Sequence, residues 1–70
     1  MQKFGKKLHF LRKQRGFTLR QLAQILGVHY AHINNIEHGV RSPSTDLVLK
    51  MAQVFDVSTD ELMKDDVELI

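Results

Sequence analysis

Four histidines and a pair of asparagines are the first candidates for chemistry in this 70-residue chain. His29 and His32 stand three apart, the spacing of one helical face, and His38 follows within the same segment. A zinc site takes about four ligands at tight spacing. The chain has no Cys, and no carboxylate stands where it would complete such a set, so no metal and no cofactor is expected. No nucleophile, base and orienting group occur at a recognisable spacing either, and so short a chain leaves little room for a concave pocket, which argues against an enzyme. The histidines read instead as surface donors whose protonation would add positive charge below neutral pH.

The same segment carries a second kind of chemistry. Around a helix starting at Tyr30, placing Ile33 and Ile36 inward puts the outward direction about 150° from Ile33. Ala31, His38, Asn35 and Asn34 then fall within about 50° of that direction, with Tyr30 and His32 at its flanks. This face has amides, a phenol, imidazoles and one small residue, and no Lys or Glu. A helix face that merely meets water is rich in charge. Amides on such a face suit the edges of base pairs: Asn bonds adenine bidentately, and Ala or Tyr can touch a thymine methyl. The plainer reading is a structural helix pair, which any αα-hairpin would satisfy.

Five helices are expected to position this face, with no strand, because no stretch alternates apolar and polar residues. The first runs from about Lys3 to Arg15, with Phe4, Leu8 and Leu11 on one stripe and Phe10 off it. The second opens on a capping box, Thr18 with Gln21, flanked by Phe17 and Leu22, and bears Leu22, Ala23, Ile25 and Leu26. Ala23 is small enough for the third helix to come close, and Gly27 permits the turn between them. The third spans about Tyr30 to His38. Ser44 caps a fourth helix through about Phe55, with Ser42 and Pro43 as an alternative start. Ser58 and Glu61 form a second capping box for a short fifth helix.

Charge is divided along the chain. Residues 1–41 hold eight basic side chains against one acid, Glu37, for +7, and residues 42–70 hold two against seven acids, for −5. A basic half facing an acidic half suggests a polyanion on one side only. Apolar residues make up 43 %, too scattered for the ~20-residue apolar run of a membrane span. No apolar region follows the basic residues at the start, so a cytoplasmic protein with no membrane partner is expected. Residues 1–64 are expected to form one domain, and 65–70 an acidic and apolar tail.

The chain resembles the Cro/repressor-type (XRE-type) helix-turn-helix regulators of bacteria and phage. The resemblance rests on LRKQRG at 11–16, TLRQLAQILGV at 18–28, INNIEHG at 33–39, PSTDLVLKMAQVFDVS at 43–58 and DELM at 60–63. It implies an all-α, lambda-repressor-like fold whose third helix enters the major groove of double-stranded DNA, usually as a homodimer on a two-fold operator. On that resemblance Tyr30, Ala31, His32, Asn34 and Asn35 are expected at bases, with Asn34 and His38 also near the backbone-contacting positions. Arg20, His29, His38 and Arg41 are expected at phosphates, and Arg12 is expected to pair with Glu37 for structural reasons.

Two departures matter. Leu19 stands where the family favours Gln, and His29 where it favours Ser or Thr. Histidine caps poorly, so the third helix is expected to fray at its start, unless His29 itself meets a phosphate. The runner-up function is an antitoxin-like or protein-interaction module for which DNA binding is secondary. For a homodimer, Val54, Leu62, Val67, Leu69 and Ile70 would supply apolar contact.

Overall fold

In the computed structural model, which describes residues 3–65, four of the five helices begin on a side-chain cap in the chain. The order is α1 (Phe4–Gln14), α2 (Leu19–Leu26), α3 (Tyr30–Glu37), α4 (Thr45–Phe55) and α5 (Thr59–Met63), with no strand among the described residues. Thr18 caps α2 by accepting from the Gln21 amide at 3.1 Å, while the Gln21 side chain accepts from the Thr18 amide at 2.9 Å. Ser58 and Glu61 repeat this exchange at α5, at 3.0 and 2.9 Å. These reciprocal bonds satisfy amides that have no partner inside the helix.

The fourth helix starts after Ser44 as expected, and the alternative start at Pro43 is not used. Ser44 has an extended backbone (φ −70°, ψ 161°) and its side chain takes the Leu47 amide at 3.2 Å. The start of α3 does not lack a cap: His29 Nδ1 accepts from the Ala31 amide at 3.2 Å, the role a Ser or Thr hydroxyl would play. Of the apolar residues on the second helix, Ile25 is 51 % exposed. Leu22, Ala23 and Leu26 make the buried stripe of α2, and Ile25 lies about 100° from its centre. Leu62 is fully buried, so it packs the core and is not a dimer contact. Val67, Leu69 and Ile70 lie outside the described residues.

One apolar cluster unites the five helices: Phe4, Leu8 and Leu11 of α1, Leu22 and Leu26 of α2, Ile33 and Ile36 of α3, the inner face of α4, and Leu62. Phe17 and Val57, the residues just before two caps, pack partly buried against it. Two glycine-dependent contacts set the position of α3. At Gly27 the chain turns with φ +74°, and the Val28 amide closes back on the Ala23 carbonyl at 3.0 Å. At Gly5, α1 crosses α3 so closely that a Cβ there would stand 2.5 Å from the carbonyl oxygens of Ile36 and Glu37.

Candidate nucleic-acid interface

The third helix is fixed from behind by a charged cluster. Arg12 Nε donates to Glu37 Oε2 at 2.6 Å, and a second guanidinium nitrogen of Arg12 donates to Oε1 at 3.2 Å. Arg12 Nη1 also donates to the Phe17 carbonyl at 2.9 Å, tying in the segment before α2. The side chains of Arg12 and Glu37 are 8 % and 2 % exposed, so the pair is removed from water. His9 completes the set, with Nδ1 2.8 Å from Glu37 Oε1. Burial is the largest single influence on Glu37 and pushes its pKa up. The hydrogen bonds and charges of Arg12 and His9 together outweigh it and hold the carboxyl below the usual glutamate range. Glu37 is thereby kept as an acceptor for donors that come from α1.

With Ile33 and Ile36 buried, the other side of α3 faces out. Tyr30, Ala31 and His38 are exposed, and His32, Asn34 and Asn35 are half-buried. The side-chain amides of Asn34 and Asn35 have no hydrogen-bond partner among the described residues, so their donors and acceptors remain open. Two cations border this face. Arg20, on the first turn of α2, is exposed with its guanidinium carbon 4.4 Å from the Tyr30 ring centroid. Arg41 is exposed in the loop after α3, where its amide and that of Val40 both donate to the Asn35 carbonyl, at 3.3 and 2.8 Å.

The two histidines expected at phosphates are not equivalent. His29 Nδ1 is an acceptor in the cap, so a neutral His29 carries its proton on Nε2 and can donate outward. Its protonation would put a hydrogen on Nδ1 and break the cap. His38 is the reverse. Its Nδ1 donates to the Asn34 carbonyl at 2.8 Å, so Nε2 is a bare acceptor until the ring is protonated. Among the described residues no group of three or more possible ligands could hold a metal ion.

Three residues with definite roles escaped the sequence reading. His9 pairs with Glu37 across 28 positions, and nothing in the spacing signals it. Lys7, 8 % exposed, donates to the Lys64 carbonyl at 2.7 Å and to that of Glu61, at the end of α5. Arg15 donates to the Phe55 carbonyl at 2.8 Å, at the end of α4. Both had counted only as positive charge in the basic half. Their position on the stripe side of α1 was the available signal, since a long cation can bury its stem while its head finds carbonyls.

A short helix, a tight left-handed turn and a second helix held outward define a helix-turn-helix protein. The helix-turn-helix family matches residues 8–62, and the chain belongs to it, within the Cro/repressor (XRE) type. The HTH-type transcriptional regulator ImmR of Bacillus subtilis is 38 % identical over 64 residues, 90 % of this chain. This chain spans half the length of ImmR. Its fold is lambda-repressor-like and superposes on the N-terminal DNA-binding domain of SinR from Bacillus subtilis with a TM-score of 0.85. That match has 29 % identity and covers 97 % of this chain and all of the other. The restriction-modification controller protein C.AhdI from Aeromonas hydrophila matches with a TM-score of 0.80 and 32 % identity, over 89 % of this chain and 94 % of its own. The relatives are named as transcriptional regulators, not as enzymes. No helix among the described residues is long and apolar enough to cross a membrane.

Proposed function

We propose that this chain is a sequence-specific, duplex-DNA-binding repressor that inserts α3 into the major groove. The observation that carries the reading is the outward face of α3: an amide, phenol and imidazole surface free of charged side chains, with exposed arginines at its border. In this reading Tyr30, Ala31, His32, Asn34 and Asn35 meet base edges, while Arg20, His29, His38 and Arg41 meet phosphates. Base contacts carry sequence information and phosphate contacts carry position. The relatives named as regulators, and SinR's DNA-binding domain with the same fold, support it.

A homodimer on a two-fold operator follows from the geometry of such sites, where recognition helices lie ~34 Å apart. The protein measures 28 × 23 × 20 Å along its principal axes, so two adjoining copies can meet that spacing. Leu49 and Met63, 48 % and 37 % exposed, are the apolar side chains that α4 and α5 offer to the contact, in place of the buried Leu62.

The test separates the two kinds of contact. A binding site is selected from random duplexes, and Asn35→Ala and Arg41→Ala are titrated on it at fixed salt. Asn35→Ala should lose about 1–3 kcal/mol on the selected site and relax one base pair's preference. Arg41→Ala should weaken all sequences alike and reduce the salt slope by about one unit. If neither variant differs from wild type, α3 is not the reading helix and a protein-interaction module becomes the better account.

A further inference from the structure

The Tyr30 ring is not a free side chain at the start of α3. The Arg20 guanidinium carbon lies 4.4 Å from its centroid. The His29 ring stacks on it with centroids 4.6 Å apart and planes 28° from parallel. Both neighbours draw on the π surface of the ring. His29 is fixed by its cap on the Ala31 amide, and Arg20 stands in the first turn of α2. The phenol hydroxyl makes no hydrogen bond among the described residues, and Tyr30 is 37 % exposed.

This changes what Tyr30 can offer a base pair. A free tyrosine could lay its face on a thymine methyl, as the sequence suggested. A ring whose π surface is already engaged presents its edge and its hydroxyl. The Arg20 cation draws electron density from the ring, which makes the phenol a better donor and a poorer acceptor. In the major groove the acceptor that both purines share is N7.

We propose that the Arg20–Tyr30–His29 stack is a specificity determinant: it holds Tyr30 so that its hydroxyl donates to a purine N7. Arg20 is a positioning residue that acts through Tyr30, while its N–H groups remain available to a phosphate. The inference rests on the reading of α3 as the groove-entering helix and adds to it the base class that one position prefers.

The full chain is used to select a site from random duplexes. Wild type, Tyr30→Phe and Arg20→Lys are then titrated on that site and on versions carrying 7-deazapurine at one purine at a time. Replacement at one purine should weaken wild type about five- to tenfold, the worth of one hydrogen bond. Tyr30→Phe should already have lost that amount and ignore the replacement. Arg20→Lys keeps the charge without the planar stack. It should lose most of the sensitivity to 7-deazapurine, and any weakening on unrelated duplexes should be smaller than the loss on the selected site. Both substitutions are on the surface, and unchanged melting curves establish that the variants are folded.

Three results would overturn the proposal. Tyr30→Phe could keep the full response to 7-deazapurine. Uracil in place of thymine could cost wild type the affinity instead, which would put the ring face on a methyl. Arg20→Lys could weaken every duplex alike and leave the purine preference intact, which would make Arg20 a phosphate contact only. A wild type that selects no sequence would remove the groove reading itself, a failure visible before any variant is titrated.

Discussion

Replacing Glu37 by Gln removes one charge and almost no volume, and the structure sets how much that should cost. Gln keeps a single acceptor oxygen where three donors now converge: two nitrogens of Arg12, at 2.6 and 3.2 Å, and His9, at 2.8 Å. Its amide group must point at one of them. Breaking a buried ion pair costs about 3–5 kcal/mol because the remaining charge is left without a counterion. Arg12 keeps the Phe17 carbonyl at 2.9 Å, and His9 is half-exposed and can turn to water. A working figure is therefore about 2–4 kcal/mol. In a domain of this size each kcal/mol moves Tm by about 4–8 °C, so a fall of roughly 8–32 °C is expected. The pH dependence has a definite sign. Glu37 titrates below its unfolded-state value in the native protein, so its stabilisation is complete above that value, about 4.3. It is lost as pH falls through the lowered native pKa. The gap between wild type and variant should be wide at pH 7 and close towards pH 3. Thermal melts followed by circular dichroism at both pH values measure it. Equal Tm at pH 7, or a gap that does not change with pH, would refute the assignment of Glu37 as the ionised anchor of α3.

Further outcomes follow from other contacts. Gly5→Ala should lower Tm sharply, by about 2 kcal/mol or more in chemical denaturation, because its Cβ must displace carbonyls of α3 rather than a pliable side chain. Asp56 closes α4 with φ 54°, so Asp56→Gly should raise stability by about 0.5–1 kcal/mol in a urea titration. Thr18→Ala removes one half of the capping box and should cost about 1 kcal/mol by the same assay, with native-like spectra retained.

The capped helices were legible because caps are local. Thr18 with Gln21 and Ser58 with Glu61 carry both halves of their exchange within four residues. The outward face of α3 was legible because two isoleucines three apart fix which way it turns. The end of α4 falls at Phe55 as expected, although there an Asp in the left-handed region does the work that a glycine signals elsewhere. His29 misled because its cap depends on a ring nitrogen reaching an amide two residues on, a geometry its residue type does not advertise. The stack on Tyr30 was invisible for a different reason. Arg20 and Tyr30 are ten positions apart on separate helices, and only the turn at Gly27 brings them together. The stripe side of α1 marks Lys7 and Arg15 as able to bury their stems, but not which carbonyls receive their heads, because any backbone carbonyl can.

Lys7 and Arg15 make α1 the common fastening for helix ends that lie far along the chain. Five residues are too few for α5 to persist as a helix alone. Its carbonyl end is held by Lys7, and α3 is held by Arg12, one turn or so further along the same helix. Amide protons in α5 therefore cannot exchange by fraying of that end alone; they wait for openings that also release α1. The third helix shares that fate. A ligand gripping α3 stabilises the closed state as a whole, so it slows hydrogen exchange in α5 without touching it. In a protein this small α5 reports on α3 through α1, which holds both.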